Sequence, residues 1–178
     1  MIAALDARRL TCIDESGVKL AMTRLYGRAP TGARVVGTVP QTSGQHVTRL
    51  GALGAHGWQA VMTVEGPMDT AVFRASIKQV LGPTLTPGDI VVLDNLGVHK
   101  ARGIQPMLAR RRIRLLYLPP DSPDLAPIEP CWSQVNTALR RAKARTRGAL
   151  DSAMTSVLPT VTKADARGWF RHCGYALY

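Results

Sequence analysis

Apolar and polar positions change period along the chain, and each change marks an element. Leu10-Thr11-Cys12-Ile13 is a short apolar run before Asp14, so residues 9–14 read as a buried strand. Residues 17–25 fit its hairpin partner or a loop. Residues 26–44 are rich in Gly, Pro, Arg and Thr and read as an extended loop. Residues 46–53 and 58–64 are two more strands, and Gly54 to Gly57 between them suits a hairpin. The period then becomes helical. Val72, Phe73, Ile77 and Val80 share one face of a helix that Asp69 is placed to cap. Ile90-Val91-Val92-Leu93 is a four-residue apolar run between turn signals, as a central strand requires. A helix over 103–111 and a strand over 113–118 follow, and Pro119-Pro120 ends the strand. Ile128, Cys131, Trp132, Val135, Leu139 and Ala142 line one face of a helix starting near Pro127. Proline is tolerated there because first-turn N–H groups have no intrahelical partner. Residues 148–160 and 163–171 form two closing helices. Three antiparallel strands followed by alternating helix and strand predict a mixed α/β sheet with flanking helices.

Composition narrows the function classes. A chain of 178 residues, 46% hydrophobic, is long enough for one domain with a sizeable core. Its net charge of +11 points to a polyanionic partner, of which nucleic acid is the obvious one. The three cysteines, Cys12, Cys131 and Cys173, lack metal-site spacing and are expected to be reduced thiols in a cytosolic protein. No charged-then-apolar leader opens the chain, and no apolar run approaches the roughly 20 residues of a membrane span.

The candidate chemistry lies in three carboxylates. Asp14 and Asp94 each follow an apolar run, and Glu129 sits in the first turn of a helix, where the dipole favours a negative charge. Carboxylates delivered from strand ends and a helix start suit Mg²⁺ or Mn²⁺. Such hard ions take oxygen ligands, and a pair of them can activate the attacking oxygen and stabilise the leaving oxygen of a phosphoryl displacement. Glu15 should point away from Asp14 by strand alternation. Asp121 and Asp124 compete with Glu129, but both lie in a proline-rich turn where Asp commonly satisfies backbone groups. His99 could touch DNA phosphate or the edge of the site. His46, His56 and His172 have no partner spacing. The basic groups fall into three sets: Arg24, Arg28 and Arg34; Arg110, Arg111, Arg112 and Arg114; and the tail Arg140, Arg141, Lys143, Arg145 and Arg147. The last set extends the Glu129 helix and is the expected DNA-contacting surface, through phosphate neutralisation.

At these residues the chain resembles the catalytic domain of a DDE transposase of the mariner superfamily, in its bacterial insertion sequence 630 branch. The resemblance rests on Ile13-Asp14-Glu15-Ser16-Gly17, on Tyr26-Gly27-Arg28-Ala29-Pro30, on Leu93-Asp94-Asn95 with His99, and on the stretch Pro119 to Glu129 with Trp132. The 34 residues between Asp94 and Glu129 are similar to that family's spacing. The chain departs from the family at Leu96, Asp121 and Ala126, where Ala, Tyr and Asn are usual. The resemblance implies an RNase H-like fold with a mixed five-stranded sheet. It implies Asp14, Asp94 and Glu129 as catalytic metal ligands for two Mg²⁺ or Mn²⁺ ions, and Arg140, Arg141, Lys143, Arg145 and His99 as DNA contacts. The implied activity is DNA cleavage and strand transfer in transposition, on transposon ends and target DNA, with room for a homodimer. The implied location is the bacterial cytoplasm, at the nucleoid. Full-length relatives carry helix-turn-helix units ahead of this domain, so residues 1–178 are expected to be a single catalytic domain without that region. An RNase H-like nuclease without strand transfer, and a non-catalytic DNA-binding remnant of a transposase, are the alternatives.

Overall fold

The computed structural model describes residues 5–42, 44–95 and 103–177. Five strands form one sheet in the order β3-β2-β1-β4-β5. They are β1 (Leu10–Lys19), β2 (His46–Gly54), β3 (Gly57–Glu65), β4 (Ile90–Leu93) and β5 (Arg114–Tyr117). β1 pairs antiparallel with β2, and β2 with β3, whereas β1–β4 and β4–β5 are parallel. The mixed five-stranded sheet predicted above is therefore the observed one. β2 and β3 are joined through Ala55-His56, and Gly57 takes φ +110°, a conformation that a side chain would oppose.

One strand is longer than its apolar run. β1 does not stop at Asp14 but continues to Lys19, with Ser16 opposite Arg49 and Lys19 opposite His46. Residues 17–25 are thus no separate hairpin partner of the first strand. Beyond Ile13, among the described residues, β1 pairs with β2 alone, so the extension is half-covered and loses its hydrophobic signature. Residues 26–42 carry no helix or strand among those described, as the loop reading requires.

Helices cover both faces. α1 (Thr70–Ser76) is capped as expected: Asp69 accepts from the Val72 N–H at 2.7 Å. It runs into a π turn, Ile77–Leu81. The wider turn shifts the helix phase, so Leu81 is buried and the predicted inward Val80 is 36% exposed. α2 (Ile104–Ala109) is on the same face. There Ile13, Val91 and Leu93 of the sheet meet Phe73, Ile77 and Ile104. The opposite face holds α3 (Ile128–Ala142), α4 (Arg147–Val157) and α5 (Lys163–His172). Leu10, Cys12, Ile90 and Val92 meet α3 through Ile128, Cys131, Trp132 and Val135. Each large apolar side chain so buried contributes about 1.5–3 kcal/mol. Ala142, predicted on the buried stripe, is exposed; it sits just before Lys143, whose φ of +51° ends the helix. Cys12, Cys131 and Cys173 are free thiols, all buried. No helix among the described residues is long and apolar enough to cross a membrane.

Candidate active site

The register of the parallel strands brings the first two acids together. Ile13 opposite Leu93 is the last rung of the β1–β4 ladder. Asp14 and Asp94 each follow that rung directly, on chain segments whose strands run about 4.8 Å apart. Alternation aligns Asp14 with Cys12 and Leu10, and Asp94 with Val92 and Ile90. Those neighbours belong to the core beneath α3, so both carboxylates leave the sheet on the α3 side. Glu15 falls on the opposite face, with Ile13. Glu129 enters from the first turn of α3, and the buried Ile128 and Trp132 seat that turn on the sheet. A cleft of about 260 Å³ is lined by Asp14, Asp94 and Glu129, together with Asn95, Asp121 and Ser122. Asp14 and Asp94 are half-buried, and Glu129 is exposed at the rim.

The electrostatics of the cleft are those of crowded anions. Burial pushes the Asp14 carboxyl up, and the charges of Glu129, Glu15 and Asp94 push it further, to about 7. A backbone hydrogen bond from Glu15 opposes the shift. A divalent cation would relieve this repulsion. The donors are hard carboxylate oxygens around an open cleft, which suits ions that keep several waters and take substrate oxygens as ligands. Among the described residues no three His, Cys, Asp or Glu side chains gather tightly enough to enclose a metal ion by themselves. The fit is therefore to a cation shared between protein and substrate rather than to a closed protein cage.

The predicted DNA contacts separate. Arg140 and Arg141 line a groove between α3 and the loop after β1, with Arg24, Tyr26, Ser133 and Thr137. Glu129, Ser133, Thr137 and Arg141 recur every four residues, so one row of α3 leads from the acid to this groove. Lys143 is the left-handed residue that ends α3. Arg145 reaches back through Nη1, donating to the carbonyls of Leu20 and Met22 at 3.0 and 2.9 Å. Arg147 pairs with Asp151 at 3.0 Å and with Glu65 at 3.4 Å. His99 and Leu96 lie outside the described residues.

Sequence reasoning gave one feature of the site a turn role alone and missed another. Asp121 was expected to serve its turn; it does hold a left-handed φ of +52°, but it also lines the cleft. Arg49 is fully buried behind the site. The available signal was an arginine within the otherwise uncharged run Val47 to Gly54.

Comparison with known proteins agrees with this architecture. A sequence profile described as DDE superfamily endonuclease matches residues 9–151. Comparison with curated protein sequences finds no match. A Mos1 transposase paired-end complex with the left transposon end has a TM-score of 0.79 at 15% identity, covering 94% of this chain and 53% of that one. A Mos1 mariner paired-end complex with Mn gives 0.73 at 14%, with the same coverage. The Mos1 transposase catalytic domain with raltegravir and Mg gives 0.73 at 12%, covering 94% of this chain and 79% of that one. At such identities the likeness is one of fold, and the fold is RNase H-like. The chain spans about half the length of the Mos1 chains in the paired-end complexes.

Proposed function

The chain belongs to the DDE superfamily of endonucleases, and from that membership we propose that its carboxylate cleft cuts and joins DNA strands, as the catalytic domain of a mariner-type transposase. The motifs around Asp14, Tyr26, Asp94 and Glu129 favour the bacterial insertion sequence 630 branch, acting in the cytoplasm at the nucleoid. The observation that carries the reading is the shared cleft: two aspartates one rung beyond the β1–β4 ladder, faced by a glutamate from α3.

In this reading Asp14 and Asp94, from the strand ends, and Glu129, from α3, would hold the two divalent cations. Two bound Mg²⁺ or Mn²⁺ ions would polarise the scissile phosphate and lower the pKa of the attacking water. Asp14 must give up its proton before it can serve as a ligand, so the site should fill poorly below about pH 7. Water attacks the phosphodiester at the transposon end, breaking the P–O bond to the 3′ oxygen. The freed 3′ hydroxyl then attacks a phosphorus of target DNA, and the bridging oxygen there leaves. No protein nucleophile takes part. Arg140 and Arg141, in the groove to which the helix row from Glu129 leads, neutralise phosphates of the bound strand. Mos1 structures that hold transposon-end DNA, or Mn or Mg, are the company such a cleft would keep. One protomer per transposon end would make the working unit a homodimer.

The experiment is a pair of assays with Mn²⁺: nicking of a plasmid carrying the element's terminal repeat, and joining of a labelled pre-cut end to target DNA. Both activities are expected. Nicking without joining would assign a nuclease, and neither would leave a DNA-binding remnant.

A further inference from the structure

Arg49 heads the fully buried side chains among the described residues. It lies on β2 opposite Ser16, two residues beyond Asp14 on β1. Its Nη2 donates to Ser16 Oγ at 2.7 Å and to Asn136 Oδ1 at 2.6 Å. Its Nε donates to the Ser16 carbonyl at 3.4 Å, and Nη1 lies 3.8 Å from Met154 Sδ. The guanidinium sits over the Trp132 ring, with Cζ 4.7 Å from the centroid. Every one of these partners is neutral, and among the described residues no carboxylate forms an ion pair with Arg49.

A buried cation without a counter-charge is a poor choice for stability, since a well-packed apolar side chain would cost less. Its contacts suggest another reason for its presence. Ser16 shares its strand and face with Asp14. Trp132 and Asn136 lie three and seven residues after Glu129, on the inner side of α3. Pro127 at the start of α3 offers no side-chain cap. The first turn is therefore held by packing, through Ile128 within it and through contacts further along the helix. Gly51, opposite Asp14 on β2, completes the seat: a Cβ there would come within 2.6 Å of both the Trp132 and Trp58 rings. The two indoles meet at a tilt of 46°, with centroids 4.8 Å apart.

We propose that Arg49 is a positioning residue, which clamps Ser16 of β1 to Trp132 and Asn136 of α3 and thereby sets the gap between Asp14 and Glu129. Planarity matters in this role, because one guanidinium bonds edge-on to both strand and helix while its face covers the indole. The inference rests on the reading of the cleft as a cation site. It adds that cation affinity depends on a side chain that touches neither cation nor DNA.

The test uses the full chain at pH 8, with Mn²⁺ binding followed by loss of the free-ion resonance signal and thermal melting measured in parallel. Arg49→Met keeps length and bulk but removes the charge and the hydrogen bonds. It is expected to melt at or above the wild-type temperature while binding Mn²⁺ about tenfold more weakly. Cleavage should lose kcat with the KM for DNA unchanged. Arg49→Lys should not restore Mn²⁺ affinity, because a point charge cannot bridge Ser16 and Asn136 while lying flat on Trp132. If Arg49→Met does not fold, Asn136→Leu, which unlinks Arg49 from α3 alone, decides with the same expected weakening. Wild-type Mn²⁺ affinity in a folded Arg49→Met, or in Asn136→Leu where that variant decides, would overturn the proposal. Failure of the wild-type protein to bind Mn²⁺ would instead overturn the cation-site reading beneath it.

Discussion

The two ends of the parallel strands treat the same residue type in opposite ways. At the N-terminal ends each described aspartate has a partner. Asp6 accepts from Arg8 at 2.7 Å, and these hydrogen bonds hold its carboxyl below the usual range. Asp89 accepts from the Thr86 N–H at 2.7 Å and lies 3.5 Å from Arg9. Arg110, Arg111, Arg112 and Arg114 lie exposed at the same end. At the C-terminal ends Asp14 has anions as its neighbours, and its carboxyl rises to about 7. Local propensity does not separate these aspartates. The difference teaches that Asp6 and Asp89 are stabilised by partners within the chain, whereas Asp14 is crowded by like charge, which the proposed cation would relieve.

The largest effect that would break this contrast is on chemistry. Asp94→Asn should lower Mn²⁺-dependent nicking by about 10³-fold or more, with DNA affinity equal or higher because a charge that repels phosphate is gone. Retained nicking by the purified variant would remove the C-terminal end from the reaction. Substitutions of Arg110, Arg111 and Arg112 at the opposite end should leave nicking by the folded protein unchanged.

Next in size is the stability of the metal-free protein. Folded Asp14 keeps its proton to about pH 7, whereas its ordinary value is 3.8. The folded state therefore binds more protons between those values, and wild-type stability falls as pH rises across the window. Asp14→Asn should be more stable than wild type by about 2 kcal/mol above pH 7, after allowance for partial solvent screening. The advantage should vanish by pH 4. Denaturant melts at the two pH values measure it, and equal stabilities at pH 8 would mean the carboxylates do not crowd as described.

DNA binding sharpens the contrast further. Because Arg145 holds the Leu20 and Met22 carbonyls, and Lys143 ends α3, Arg140 and Arg141 should carry most of the phosphate contact from this tail. Changing those two to Ala should flatten the log–log salt dependence of DNA affinity by up to about 1.8, measured by fluorescence anisotropy over a salt series. An unchanged slope would move the DNA path toward Arg110–Arg114. Asp6→Asn should have the smallest effect. Its depressed carboxyl contributes stability above its ordinary pKa and loses it as pH falls through the folded value. A slight drop in melting temperature at pH 7 that disappears in acid is expected, opposite in sign to Asp14→Asn.

Much of this architecture was legible because local pattern and tertiary role agree. The Ala55-His56 hairpin, the Asp69 cap and the apolar stripe of α3 from Ile128 to Leu139 are written in short-range spacing. The three acids were legible from their flanks. Their convergence at one end of the sheet was expected from those flanks, whereas the register that sets Ile13 against Leu93, across β2, β3 and α1, is not written in local spacing. The extension of β1 to Lys19 was hidden by its half-covered edge. The π turn displaced burial from Val80 to Leu81, which a regular helical period cannot anticipate. Arg145, expected among the DNA contacts, donates instead to the Leu20 and Met22 carbonyls, a contact that sequence spacing does not reveal. Arg49 escaped because burial of a guanidinium is decided by what α3 presents to it.

The proposed chemistry depends on Asp14, Asp94 and Glu129 forming a divalent-cation site. Crystals of the full chain soaked in Mn²⁺ at pH 8, where Asp14 is ionised, test it through anomalous scattering. One peak is expected between the Asp14 and Asp94 carboxylates and a second reaching Glu129, about 3.5–4 Å away, both lost in Asp94→Asn. Peaks held by Asp121 or Asp124 without Asp14, or no peak in the cleft at saturating Mn²⁺, would contradict it.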